Sequence, residues 1–274
     1  MPLLLKPVEP TRGARWVRDA LTLYMRRPLA FSMMFVVYLC AALLCLMLVP
    51  WVGGWLFMAS LPLLSLGFMV ASQSALLDGP VHPGQFVEPL RGDARKRRAL
   101  LLLCLVFGAC GMGILTLVDV VSHHAGQRVM DLMTSGQANP GELAAIAEEP
   151  GLARAQLAGT LLFALLSVPF WHAPALVHWG SQGVGQALFS STLALWRCKG
   201  AFLVYGAVWM AAMLAFSFVA SLLLALAGAV NLVPLVAGAA MLMFQTLFCV
   251  SLIFTFNDSF GGTQARPEEL TPPA

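Results

Sequence analysis

Six long apolar runs constrain this chain more than any other feature. Each has about the 20 residues that a helix needs to cross the hydrocarbon core of a bilayer. Backbone groups in lipid must find hydrogen-bond partners within their own element, so runs of this kind predict helices. The sequence therefore predicts an all-α fold, a polytopic membrane helix bundle. The predicted spans cover residues 29–49, 55–77, 99–121, 156–177, 201–230 and 234–256.

The composition also indicates that a bilayer is the surrounding solvent. Hydrophobic residues make up 59% of the 274 and charged residues 11%, whereas a soluble domain has about 25% charged residues. A water-soluble fold of this size needs far more polar surface. The net charge of +3 is too small to indicate a nucleic-acid partner. Phosphate-binding, nucleophile and zinc motifs are absent from the sequence, so we expect no catalytic residue, cofactor or metal.

The basic residues lie mostly on one side of the predicted bundle. Of the 16 lysines and arginines, 14 fall before span one, between spans two and three, between spans four and five, or in the C-terminal tail. Arg128 and Arg154 are the two on the other side. Because basic residues near span ends stay in the cytoplasm, both termini are predicted to be cytoplasmic. The expected location is a bacterial inner membrane.

The whole chain, 1–274, is predicted to be one integral membrane domain, with spans one to three in 29–121 and spans four to six in 156–256. Outside the spans, residues 1–28 form a cytoplasmic amphipathic segment and residues 257–274 a disordered cytoplasmic tail. Residues 122–155 form an excursion on the outer side. Within it, Asn139, Pro140 and Glu142 are typical of the N-cap, first residue and acidic first turn of a short helix.

A repeated pattern suggests that the spans are arranged as three hairpins. Residues 79–85 and 180–186 share the pattern G-x4-G-Q, and each is followed by basic residues and then a span. The N-terminal segment has a related order of an amphipathic stretch, Arg26, Arg27 and span one. Repeats in membrane proteins often reflect pseudo-symmetry. We predict three hairpins, each introduced by a cytoplasmic interfacial segment.

The basic segments are the predicted contacts with lipid headgroups. At helical spacing, Trp16 and Leu23 face one way in the first segment and Arg15 and Arg18 another. Such a helix lies in the headgroup plane, with tryptophan buried in the lipid and arginine near anionic phosphates. Simple anchoring of the topology explains the same pattern. The predicted headgroup contacts are Arg15, Arg18, Arg26, Arg27, Arg95, Lys96, Arg97, Arg98, Arg197 and Lys199.

Ionisable and amide side chains inside a membrane are candidates for a functional site. Asp119 and His123 share a helix face near the outer end of span three, where they suggest a proton or metal site or a hydrated helix end. His172 lies between Pro169 and Pro174, where it suggests a proton relay, a ligand contact, or a histidine that donates to a freed carbonyl. Gln245 in span six is predicted to form an interhelical hydrogen bond.

Several short segments resemble a family of uncharacterised bacterial inner-membrane proteins. They are W-V-R-D from Trp16, R-R-P-L-A-F from Arg26, P-L-L-S-L-G-F-M from Pro62, F-W-H-A-P-A-L-V from Phe170 and A-F-L-V-Y-G from Ala201. More distantly, the chain resembles the membrane domain attached to some glycerophosphodiester phosphodiesterases, but the sequence contains nothing of their catalytic domain. The resemblance implies a six-span topology and no activity that can be transferred.

These observations lead to three hypotheses about function. The first is a non-enzymatic scaffold, assembly partner or envelope-homeostasis factor, because the spans lack a charged pathway and a catalytic cluster. The second is a small-solute or lipid transporter with a cavity near Pro62, His172 and Gln245. The third is a membrane enzyme, which requires Asp119, His123 and His172 to converge within hydrogen-bonding reach.

Overall fold

The computed structural model describes residues 5–135 and 139–261, which form eleven α-helices and three short 3₁₀ turns. In chain order the helices are α1 (Arg12–Arg26), α2 (Pro28–Leu48), α3 (Pro50–Leu76), α4 (Ala94–Val121), α5 (Ala125–Thr134), α6 (Pro140–Ala147), α7 (Pro150–Phe170), α8 (Ala173–His178), α9 (Val184–Arg197), α10 (Lys199–Leu226) and α11 (Val233–Phe260).

Six spans in the described part are long and apolar enough to cross a membrane, which confirms the predicted bundle. They correspond to α2, α3, α4, α7 with α8, α10, and α11. Helix α11 continues to Phe260, so residues 257–260, predicted to belong to the tail, are helical. The remainder of the predicted tail, from residue 262 onward, lies outside the described residues.

The most extensive contact between two helices in the described part of the chain is that between α3 and α4. A Cβ atom on Gly108 of α4 would lie 2.9 Å from the Cβ of Ala59 on α3, closer than two methyl groups pack. Glycine therefore allows the two backbones to approach each other, as small residues do at many membrane helix contacts. Helix α11 packs against α3 and α2 in turn, so the core lies between α3 and its neighbours.

The predicted hairpin partners do contact each other: α2 packs on α3, α4 on α7, and α10 on α11. The most extensive contact nevertheless joins α3 to α4, which belong to different predicted hairpins. The contact of α10 with α11 is much smaller. The grouping of the spans into three pseudo-repeated units therefore stays a prediction.

Helix α1 packs against protein, which corrects the predicted placement of its tryptophan in lipid. Its apolar face contacts α10 and α11, and Trp16 is fully buried among Phe202, Tyr205 and other core residues. Gly13 allows this approach, since a Cβ there would collide with the Ala201 carbonyl and lie 2.7 Å from the Tyr205 nitrogen. The amphipathic pattern was real, but α10 and α11 supply its apolar partner.

One end of the bundle, which we call the basic face, gathers the N-terminal segment and two interhelical segments. The Lys6 N–H donates to the Ser259 carbonyl (2.9 Å), and Arg27 donates to the carbonyls of Asp78 and Gly79. Lys96 Nζ donates to the His178 carbonyl (2.9 Å). The predicted cytoplasmic segments thus lie together at one end.

The opposite end carries the excursion, which contains two helices rather than the single predicted one. The predicted N-cap is confirmed, because Asn139 Oδ1 accepts a hydrogen bond from the Gly141 N–H (3.0 Å) at the start of α6. Helix α5 was not predicted. It follows Ser122, His123 and His124 without a proline or a long apolar run to announce it, and both histidines have positive φ.

Candidate functional site

The break in span four is repaired by a serine from another helix. Pro174 has no N–H to donate to the Phe170 carbonyl, and the helix stops at Phe170 and restarts at Ala173. In an unbroken helix the His172 N–H would donate to the Val168 carbonyl. Here the Ser191 hydroxyl lies between them: its Oγ accepts from His172 N (3.0 Å) and donates to Val168 O (3.1 Å).

The His172 side chain is completely buried within the protein. Its Nε2 lies 3.1 Å from Thr255 Oγ1, and Thr255 donates its own proton to the Leu252 carbonyl. The threonine oxygen is therefore an acceptor, which places a proton on Nε2 of the histidine. Phe256 and Phe260 flank the ring. His172 contacts Thr255 rather than a freed carbonyl, and it has no exposed surface on which to meet a ligand.

Gln245 lies instead on an open groove between α10 and α11, on the half of these helices away from the basic face. We call this the α10–α11 groove. It encloses about 410 Å³ and its walls are mainly apolar. Its polar lining comes from Gln245, Ser217 and Ser221, and the rest consists of three alanines and larger apolar side chains. Gln245 is exposed there, and its amide also interacts with the Cys249 thiol.

Helix α10 is the least covered of the six spans. Only 6% of its apolar window is buried. Leu214, Phe218 and Leu223 are each more than three-fifths exposed along its outer half. In a bilayer such side chains meet lipid or another protein.

Asp119 lies at the opposite end of the bundle from His172. Its carboxylate is 2.6 Å from His124 Nδ1 and 3.4 Å from Gln127 Nε2. The sequence predicted His123 as its partner, but the structure gives that place to His124. Among residues 5–135 and 139–261, no group of three histidine, cysteine or acidic side chains is arranged to hold a metal.

The structure therefore does not bring together the polar residues that the sequence singled out. His172 is separated from the outer end of span four, where α7 begins at Pro150, by about 33 Å at the usual helical rise. Asp119 and His123 belong to that outer end, which removes the geometric basis of a site that includes His172. Pro62 and His172 do not line the α10–α11 groove, so a cavity shared by Pro62, His172 and Gln245 stays a prediction.

The predicted headgroup residues divide into two groups. Arg27 and Lys96 are partly buried and donate to backbone carbonyls of neighbouring segments, so they hold the basic face together. Lys199 is exposed beside its neighbour Trp196, with Nζ 5.2 Å from the ring centre. The other seven are also exposed, and their contact with headgroups stays a prediction: Arg15, Arg18, Arg26, Arg95, Arg97, Arg98 and Arg197.

Sequence reasoning missed Asp258, which joins α1 to α11. Its carboxylate accepts hydrogen bonds from Arg12 Nε (2.6 Å), Arg12 Nη2 (3.1 Å) and Trp16 Nε1 (2.7 Å). The hydrogen bond with Asp258 raises the pKa of the Arg12 guanidinium above its usual value. An acidic residue directly after a long apolar run was the available signal, but the sequence does not indicate its partners. Ser191 and Thr255 were missed for the same reason.

Comparison with known proteins gives one clear relative. A probable inner membrane protein of Burkholderia thailandensis is 32% identical over 261 residues, which cover 93% of this chain and 93% of the relative. No family model matches the chain, and no solved structure matches it. The description of the relative gives its location, the inner membrane. Together with the six apolar spans, this similarity identifies the chain as a multi-pass membrane protein.

Proposed function

The chain belongs to the family of that inner membrane protein of Burkholderia thailandensis, and from this premise we propose that it is a non-enzymatic scaffold. In this proposal the α10–α11 groove holds a transmembrane helix of a partner membrane protein. The proposed scaffold acts by binding another membrane protein, as an assembly partner or as an envelope-homeostasis factor.

The observation that carries the proposal is the position of Gln245. It lies about 18 Å along α11 from Val233, at the usual rise per residue, and so within the hydrocarbon region. A primary amide offers four hydrogen-bonding positions, and the Cys249 thiol can use one of them. An amide that faces lipid without partners is costly. The open side of the groove therefore favours an occupant that can form hydrogen bonds.

The small and hydroxyl-bearing residues of the lining favour a helix as that occupant. Ala220, Ala237 and Ala240 line the groove together with Ser217 and Ser221. Small and hydroxyl-bearing residues let helix backbones approach closely, and glutamine side chains form hydrogen bonds between helices in lipid. An acyl chain would fill the groove but would leave the Gln245 amide without a partner.

Photo-crosslinking tests this proposal. A photoreactive residue at Ala237, inside the groove, is expected to crosslink to one membrane protein in native membranes. The matched control is the same residue at Leu235, which is exposed on α11 but does not line the groove. In a Gln245→Met background the Ala237 adduct is expected to fall several-fold, since Met keeps the length of the side chain and removes its hydrogen bonds.

The other outcomes contradict the proposal. Adducts with lipid alone would show that the groove faces the bilayer, and an adduct with a second copy of the chain would identify self-assembly. An adduct that forms equally at Leu235 or survives Gln245→Met would be nonspecific. Supporting evidence also requires the partner to crosslink back through a residue in one of its own transmembrane helices.

A transporter remains the second candidate, because the groove is large enough and apolar enough for an acyl chain. A transport measurement in liposomes distinguishes a transporter from a scaffold. Purified protein in liposomes is expected to move neither phospholipids between leaflets nor small solutes across the bilayer. Movement that depends on Gln245 would support the transporter and contradict the scaffold.

The orientation is part of the proposal: the basic face lies in the cytoplasm, with both termini. It is supported by the 14 basic residues assigned to that side. Replacement of Arg95, Lys96, Arg97 and Arg98 by neutral residues is expected to weaken cytoplasmic retention of the segment before α4. Reporter tags at residue 92 measure this, and unchanged accessibility would show that the neighbouring spans suffice.

A further inference from the structure

A cleft on the basic face lies between one flank of α1 and the ends of α3 and α11. It encloses about 330 Å³. Arg18, Thr22 and Arg26 line it from α1 at intervals of one helical turn, together with Asp19 and Leu23. Leu76 of α3 and Phe254 of α11 form its apolar side. The cleft is distant from the α10–α11 groove and independent of the function proposed for that groove.

The cleft lies at the depth of the lipid headgroups in the bilayer. Arg26 lies directly before the segment where span one starts, at Pro28, and Leu76 is the last residue of α3. The apolar side chains of Leu76 and Phe254 are therefore near the beginning of the hydrocarbon, and the charged residues are near the water. Leu21 and Met25, on the adjacent surface of α1, are exposed and apolar, as expected beside a bilayer.

The charges in the cleft are two guanidinium groups and one carboxylate. Arg18 and Arg26 are about 12 Å apart along the helix axis, with the Thr22 hydroxyl midway, so both side chains can reach a group held above Thr22. Both are exposed, and the contact of Arg18 with Asp19 is long, at 3.5 Å. Such an exposed ion pair contributes little, so the Asp19 carboxylate is available to another cation.

We propose that this cleft binds a phospholipid whose headgroup carries both a phosphate and a primary ammonium. Arg18 and Arg26 hold the phosphate, with Thr22 as a further donor, and Asp19 accepts from the ammonium. Guanidinium groups bind phosphate oxygens through strong charge-assisted hydrogen bonds. The glycerol and the first carbons of the acyl chains pack on Leu76 and Phe254. A purely anionic headgroup would leave Asp19 facing negative charge.

Binding of short-chain phospholipids to the purified, delipidated full chain in detergent tests the assignment. Phosphatidylethanolamine is expected to bind about fivefold more tightly than phosphatidylglycerol, which lacks an ammonium. Phosphatidylethanolamine is also expected to bind more tightly than phosphatidylcholine, because a quaternary ammonium has no N–H to donate to Asp19. Soluble phosphoethanolamine is expected to compete more strongly than inorganic phosphate.

Three variants assign the effects to residues. Asp19→Asn is expected to remove the advantage of phosphatidylethanolamine over phosphatidylglycerol, and Arg26→Gln to weaken the binding of both about tenfold. Arg91→Gln is the matched control, since Arg91 is exposed in the segment between α3 and α4 but does not line the cleft. It is expected to bind as the unaltered chain does. Thermal unfolding confirms that each variant is folded, and Arg26 is exposed enough to be replaced without loss of the fold.

Several results would overturn the proposal. Equal binding of phosphatidylethanolamine and phosphatidylglycerol by the unaltered chain would remove the role of Asp19. Equal competition by inorganic phosphate would identify a simple anion site. If Arg91→Gln weakened binding as much as Arg26→Gln, the basic face would attract lipid by general charge and not through this cleft.

Discussion

Trp16 Nε1 donates a 2.7 Å hydrogen bond to Oδ2 of Asp258, a residue 242 positions later in the chain. The same carboxylate accepts two hydrogen bonds from Arg12. Asp258 thereby fastens the N-terminal helix to the last helix of the bundle. The Asp258 side chain is 16% exposed, so these hydrogen bonds are largely shielded from water.

Asp258→Asn is expected to lower the free energy of unfolding by about 1–3 kcal/mol, because an amide accepts less strongly and leaves the Arg12 charge partly buried without a counter-charge. Thermal or SDS-induced unfolding in detergent measures the change. Asp19→Asn is the control, since the Asp19 carboxylate meets Arg18 in a long and exposed contact. Equal losses in the two variants would show that the Arg12–Asp258–Trp16 cluster is not a specific fastening.

Gly13→Ala is expected to displace α1 from α10. The added methyl group would collide with the Ala201 carbonyl, which belongs to a helix backbone and has little freedom to move. Cys198, buried beneath the N-terminal segment with its Sγ 3.5 Å from the Lys6 carbonyl, should then react faster with maleimide. The measurement uses a variant whose other cysteines are replaced. Gly206→Ala, where a Cβ meets nothing within 4 Å, should leave the rate unchanged.

Ser191→Ala is expected to destabilise the fold by about 1–3 kcal/mol or more, because it leaves both the His172 N–H and the Val168 carbonyl without their bridge. Alanine adds no volume, so overpacking does not confuse the result. Thr192→Ala, at the exposed neighbouring position on α9, provides the comparison in the same unfolding assay. A loss no greater than that of Thr192→Ala would mean that other groups satisfy the broken turn.

Stability should also depend on pH through Glu149 on the face opposite the basic one. Two hydrogen bonds from Arg128, at 2.9 and 2.7 Å, lower the pKa of Glu149 below its ordinary 4.5. Because the pKa of Glu149 is lower in the folded state than in the unfolded state, the ionised carboxylate stabilises the fold at pH values above the ordinary pKa. This stabilisation is lost as the pH falls through the lowered pKa of the folded state. Because both side chains are exposed, the effect should be small.

The check for Glu149 is a comparison of melting temperatures from pH 7 to pH 3. The unaltered chain should exceed Glu149→Gln at pH 7, and the difference should disappear in acid. In an Arg128→Gln background the effect of Glu149→Gln should be much smaller, because the hydrogen bonds that lower the pKa of Glu149 are gone. A constant difference between the unaltered chain and Glu149→Gln would contradict the predicted linkage.

The apolar runs by themselves determined the number of spans and their approximate limits, because a helix in lipid must satisfy its own backbone and needs a fixed length to cross. Local sequence signals were also sufficient to predict the N-cap at Asn139 and the helix break near His172, since both depend on residues a few positions apart. The amphipathic pattern of α1 was equally readable.

What the sequence left open was the partner of each polar or amphipathic element. Lipid and protein are both apolar, so the Trp16 face of α1 had two suitable neighbours, and tertiary packing placed it on α10 and α11. Side-chain hydrogen bonds between residues far apart in the chain leave no periodic pattern in the sequence. Ser191 and Asp258 could therefore be recognised only when folding brought them to His172 and Trp16. For the same reason, packing buried His172 and opened Gln245 to a groove. The sequence determined what enters the membrane, and the tertiary structure decided which groups meet there.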